Sequence, residues 1–212
     1  MYLKKTAAFC ALLCGLLFAA ELPVDGSFSK VKSDNTPVAW VLHNWTGYKP
    51  AATLAVRKEG KKNILTLRNV KAKFGSAVIN AKRYPGRSGD IVRVVMNVRG
   101  KGTAGVSIHQ YTKNPRKVKT GWNKATAAYS FKLSPQWVTR AFNFTIEDGP
   151  NDETGSFAVN IGVSKGNELD LSDVTVEYIK SPYRGNVPFR FQYPGIQHGH
   201  VAAVAVKADD LF

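Results

Sequence analysis

Residues 91–111 read IVRVVMNVRGKGTAGVSIHQY. In the first half, Val92, Val94, Met96 and Val98 fall on one side of an extended chain, with Arg93, Asn97 and Arg99 on the other. Alternation of period two marks a strand with one face in a core and one in water. The glycine-rich GKGTAG (100–105) reads as a hairpin turn. The segment after it opposes Val106 and Ile108 to Ser107, His109 and Tyr111, as a returning strand should.

The pattern spreads outward from there. SFAVNIGV (156–163) sets Phe157, Val159, Ile161 and Val163 against Ala158, Asn160 and Gly162, and VTRAFNFTIE (138–147) sets Phe142, Phe144 and Ile146 against Asn143 and Thr145. DGPNDETG (148–155) reads as a second hairpin turn, and shorter strand candidates lie at 39–42, 53–57, 64–68, 77–81, 127–132 and 174–179. No apolar stripe of helical period follows residue 20, so nothing supports the helix–strand alternation of a parallel sheet. About ten half-buried strands need a second layer to cover their apolar sides. Some thirty inward side chains at ~1.5–3 kcal/mol each would offset the ordering entropy of such a domain. The expected fold is all-β: an antiparallel two-sheet β-sandwich of jelly-roll type.

The first twenty residues, MYLKKTAAFCALLCGLLFAA, read as a secretory signal peptide, with Lys4 and Lys5 before a short apolar run and a cut after Ala19 or Ala20. The mature protein is then secreted, periplasmic or at the cell surface. Both cysteines, Cys10 and Cys14, leave with the leader; disulfides and thiolate metal sites are thereby excluded. No later stretch approaches the ~18 apolar residues of a membrane-spanning helix. Without Lys4 and Lys5, 28 basic residues face 15 acidic ones, a net of +13. That charge draws an exported protein toward anionic surfaces, acidic polysaccharide among them. Residues 21–180 form the sandwich, and 181–212, rich in proline and glycine before VAAVAVK (201–207), form a tail of unassigned role.

Several short motifs now fall into order: Asp25-Gly26-Ser27-Phe28, Pro37-Val38-Ala39-Trp40, Tyr84-Pro85-Gly86, the 91–111 segment, Leu133-Ser134-Pro135-Gln136-Trp137, and Leu169-Asp170-Leu171-Ser172-Asp173-Val174. Their order resembles the CenC-like carbohydrate-binding modules of the galactose-binding-like jelly-roll superfamily. The resemblance spans roughly 22–180. It implies sugar binding without catalysis, and a structural calcium held between Asp25 and Asp173, or Asp170 in its place. Ser29 stands where the family motif carries glutamate, which removes one expected ligand from a cation that takes six to eight oxygens.

Sugar recognition asks for aromatic platforms and fork-like polar groups. Trp40 and Trp137 fall at strands and are expected in the core. Trp45 and Tyr48 (HNWTGYKP, 43–50) and Trp122 (KVKTGWNK, 117–124) fall in loop-like stretches and are candidate platforms. If the two hairpins share a sheet, Arg93, His109, Tyr111, Asn143 and Asn160 line one shallow groove. The basic runs 57–62 and 113–119 would attract acidic glycans. Two other functions compete. A jelly-roll polysaccharide lyase would use His109 or Tyr111 as base and Arg93 to neutralise a uronate. A surface or assembly protein would bind another macromolecule. No strand carries the paired carboxylates of a glycoside hydrolase, and no nucleic-acid motif is present, so no nucleic-acid partner is expected.

Overall fold

The computed structural model describes residues 19–43, 52–69, 75–114, 121–126, 128–150 and 152–181. Among them are thirteen strands and no helix: β1 (Ala19–Glu21), β2 (Trp40–His43), β3 (Thr53–Glu59), β4 (Lys62–Arg68), β5 (Ser76–Asn80), β6 (Tyr84–Pro85), β7 (Ile91–Lys101), β8 (Thr103–Thr112), β9 (Trp122–Ala125), β10 (Tyr129–Lys132), β11 (Val138–Thr145), β12 (Thr154–Val163) and β13 (Glu168–Ile179). They make two antiparallel sheets. One has six strands, ordered β11-β7-β13-β4-β3 with β1 on the end of β13; the other has seven, ordered β10-β8-β12-β5-β2, with β6 on β12 and β9 on β8. The antiparallel β-sandwich expected from the alternation is the observed fold.

The inward faces are those read from the sequence. Val92, Val94, Met96 and Val98 of β7 meet Val106 and Ile108 of β8 and Phe157, Val159 and Ile161 of β12 in one core, completed by Phe28, Trp40, Leu65, Leu67, Leu169 and Leu171. Period two places these side chains on one side of each strand, and burying each stabilises the fold by roughly 1.5–3 kcal/mol.

Both glycine-rich turns behave differently from the expectation. GKGTAG does not close a hairpin: β7 lies in the six-stranded sheet and β8 in the seven-stranded one. Gly100 and Gly102 adopt φ of 151° and 93°, conformations nearly closed to residues with a Cβ. A Cβ on Gly102 would stand 2.1 Å from Asn167 Oδ1. The chain uses this freedom to step from one layer to the other. The 148–155 turn likewise crosses between sheets, from β11 to β12. Local hairpins remain at β3–β4, turning on Gly60, and where β9 folds back on β8.

The Asp-Gly-Ser-Phe motif locks the N-terminal segment onto β13. A bulge between Ser172 and Thr175 of β13 lets Val174 N donate to Gly26 O at 3.0 Å. The approach is so close that a Cβ on Gly26 would lie 1.6 Å from the Val174 carbonyl oxygen. Phe28 then inserts fully buried, edge-on to Trp40 at 6.2 Å.

Candidate functional site

The expected groove divides between the two layers. Arg93 (β7) and Asn143 (β11) stand opposite each other on the outer face of the six-stranded sheet, where Arg93 pairs with Glu177 at 3.6 Å. His109 and Tyr111 (β8) and Asn160 (β12) lie on the outer face of the seven-stranded sheet. Alternation tells which residues share a face of a strand, but not which layer the strand joins, and the two sheet-crossing turns separate the set. Trp45 and Tyr48 lie outside the described residues. Trp40 is in the core as expected. Trp137 is not: the Arg99 guanidinium sits 4.4 Å from its ring centroid on the surface of the six-stranded sheet.

The outer face of the seven-stranded sheet is the more unusual one. Its strand residues include no Asp or Glu. A small apolar cluster of Ile79, Tyr111 and Ala158, with Val41 against it, forms separately from the main core. His109 is fully buried rather than solvated, and its ring meets His43 of β2 edge-to-face at 4.9 Å. The Asn160 side chain hydrogen-bonds His43 and its Nδ2 donates to Ser107 Oγ at 3.3 Å. Burial, and secondarily the neighbouring His43, hold His109 down to about 4. His43 is lowered as well, by burial, against the opposing pull of Asn160. Both imidazoles are therefore neutral at pH 7.

Openness increases toward β9. The register between β8 and β9 shifts between Gln110 and Tyr111, bringing Trp122 opposite Tyr111; opposed residues share a face. The irregularity turns Asn123 inward, where its Nδ2 donates to Asp152 O at 2.8 Å and Thr154 Oγ1 at 3.3 Å. Trp122 stays 46% exposed. Beside it, the Arg83 guanidinium lies 3.6 Å from the Tyr111 ring centroid. Gly121 adjoins it: a Cβ there would be 3.4 Å from Arg83 Nη1. Burial raises the Tyr111 phenol, with Arg83 pulling the other way. Arg83 and His43 escaped the sequence reading. The first precedes Tyr84-Pro85-Gly86 in a loop with no periodicity; the second was legible in principle, two residues beyond Val41 on the same face of its strand.

The two carboxylates implied for calcium are engaged elsewhere. Asp25 Oδ1 accepts from the backbone N–H and hydroxyl of Ser29, and Oδ2 from Lys30 N. Asp173 Oδ2 accepts from Lys62 Nζ at 2.6 Å and Asn97 Nδ2 at 3.1 Å, which lowers the Asp173 carboxyl. Asp170 belongs to a network with Arg57, Arg99 and Thr66. Among the described residues no three His, Cys, Asp or Glu side chains group as a metal cage. A calcium ion bound through Asp173 has to displace the Lys62 ammonium.

No family model matches the sequence, and no curated protein matches it. Among solved structures, the Stig cyclase FisC from Fischerella sp. TAU, in complex with (3Z)-3-(1-methyl-2-pyrrolidinylidene)-3H-indole, superposes with a TM-score of 0.55 at 8% identity, over 77% of this chain and all of that one. A cyclase from the same source, in complex with 4-(1H-indol-3-yl)butan-2-one, gives 0.54 at 9% identity over 78% of this chain and 100% of its own. The CBM22-1 xylan-binding domain from Paenibacillus barcinonensis gives 0.45 at 12% identity, over 74% and 93% of the two chains. The two cyclases share the sandwich fold with this chain. Fold is all that such identities establish. No helix among the described residues is long and apolar enough to cross a membrane.

Proposed function

We propose that the protein is an exported, non-catalytic module of the CenC-like kind that binds a polysaccharide at the open end of the seven-stranded sheet's outer face. The observation that carries this reading is the half-exposed Trp122, fixed by β9 beside the Tyr111–Arg83 stack. A flat aromatic surface suits the C–H face of a pyranose ring. The Arg83 guanidinium beside it offers a fork of donors for hydroxyls. One platform and a few hydrogen bonds give affinities in roughly the mM to μM range. The test is affinity electrophoresis through gels containing a panel of soluble polysaccharides. Retention of the wild type on at least one glycan, lost in Trp122→Ala with an unchanged circular dichroism spectrum, supports the reading; retention unaffected by Trp122→Ala overturns the site.

A lyase is the second reading, and one observation favours it: the Tyr111 ring, at the open end of this face, is capped by the Arg83 guanidinium, whereas His109, the other candidate base, is fully buried. Arg93, which the sequence offers as the carboxylate neutraliser, stands in the opposite sheet, and Arg83 would take that part. This reading requires unsaturated-uronate absorbance to accumulate on an acidic polysaccharide, and Tyr111→Phe to abolish it.

A further inference from the structure

Charge is distributed unequally between the layers. Among the described residues, the six-stranded sheet holds every carboxylate found in a strand: Glu21, Glu59, Glu168, Asp170, Asp173 and Glu177. The seven-stranded sheet holds none. Of the cations around its open end, Lys113 is matched by Glu153 at 2.8 Å and Lys124 by Glu147. Arg83 is exposed and has no carboxylate partner among the described residues; its contact is with the ring of Tyr111. A guanidinium stacked on an aromatic face keeps its in-plane N–H groups available, in a fork whose spacing fits the two oxygens of an acid group. Hydroxyls on a neutral sugar both donate and accept, so a site for them profits from carboxylate acceptors. A sheet face whose strands carry no carboxylate and which offers an arginine fork is matched to a ligand group that only accepts.

We infer that this face recognises an anionic saccharide, its carboxylate or sulfate held by Arg83 while a sugar ring packs on Trp122. The inference rests on the polysaccharide-binding reading above and specifies its ligand. His43 and His109 are neutral at pH 7, so they add no positive charge to that of Arg83. Trp122 supplies affinity for sugar in general, and Arg83 discriminates acid from neutral.

Isothermal titration with tetragalacturonate, its methyl ester and a sulfated oligosaccharide of similar length tests this, using the full mature chain as wild type, Arg83→Gln, Trp122→Ala and the remote control Lys165→Gln. The acid, the sulfated sugar or both should bind about 10- to 100-fold more tightly than the ester, as for one charge-assisted fork. Arg83→Gln should erase that preference, while Lys165→Gln, which removes the same unit of charge from an exposed turn, should retain it. Retained folding of Arg83→Gln is checked by its melting temperature. Equal binding of acid and ester, or equal losses in Arg83→Gln and Lys165→Gln, overturns the assignment to Arg83 but leaves sugar binding standing. Absence of binding to all three ligands, together with no retention on any glycan of the gel panel, overturns the underlying reading as well.

Discussion

The buried imidazole of His109 gives a stability signature at mildly acidic pH. Its acidity in the fold, about 4 against 6.5 in an unfolded chain, has burial as its main cause and the nearby His43 as the lesser one. A histidine whose pKa is depressed by folding favours the native state while neutral. Its contribution is present above pH 6.5 and is lost as the pH falls toward 4, because there the unfolded chain takes up a proton that the folded chain refuses. The full span corresponds to roughly 3 kcal/mol, and between pH 7 and pH 5 about 2 kcal/mol should disappear. For a domain of this size that is a fall of about 4–8 °C in melting temperature. His43, lowered in the same direction, adds to the fall. Glu59, held down to about 2 chiefly by Arg99 and then Arg57, stays charged in the fold, but the unfolded carboxyl begins to take up protons below about pH 5.5; its small contribution therefore falls in the same direction at the acid end, equally in wild type and variant. Differential scanning calorimetry of wild type and His109→Gln across that range is the assay. The comparison is between slopes, so a constant destabilisation of the variant does not matter. The variant should lose the greater part of the pH dependence. Parallel profiles, or an NMR titration of His109 with its midpoint near 6.5, would refute the reasoning.

Two further outcomes follow from the N-terminal clasp and its neighbours. Gly26→Ala places a methyl group 1.6 Å from the Val174 carbonyl and must push the segment off β13; a loss of about 2–4 kcal/mol is expected by equilibrium urea unfolding, and an unchanged midpoint would show that the clasp yields freely. Thermal melts of the wild type in excess chelator and in millimolar calcium should superpose, since Lys62 already occupies Asp173. A calcium-dependent rise in the wild type would mean that the cation competes successfully with the ammonium.

What the sequence conveyed and what it withheld divide along a physical line. Alternation reports a strand and its two faces, because burial acts on each side chain singly; Val92 to Val98 and Phe157 to Val163 were placed correctly for that reason. Sheet membership depends on which way the chain leaves a turn, and the two glycines around Lys101 permit both a hairpin and a step between layers. Arg93 and Asn143 were therefore grouped with residues they do not meet. Trp137 illustrates a second limit: a tryptophan can satisfy its apolar ring under an arginine as well as in a core. The polar and amphipathic residues on the face holding His109 and Tyr111 imply solvation, yet pairing with His43 and the Ile79 cluster withdraws both from water. Trp122 was identified in the sequence as a platform candidate, though as a loop residue and not as part of an irregular strand. Arg83 carries no periodic signal, and only the folded position of Tyr111 makes it notable.

The step between layers at Gly102 also governs how the chain reaches this fold. β7 finds its central neighbour in β13, with Ile91 opposite Ile179, so nearly the whole domain must be synthesised before the middle of that sheet can zip. Few strand pairs are neighbours along the chain, and closing such wide loops before any contact rewards them places folding in the millisecond-to-second range typical of non-local β topologies. A nascent chain of this kind stays open for a long time by molecular standards.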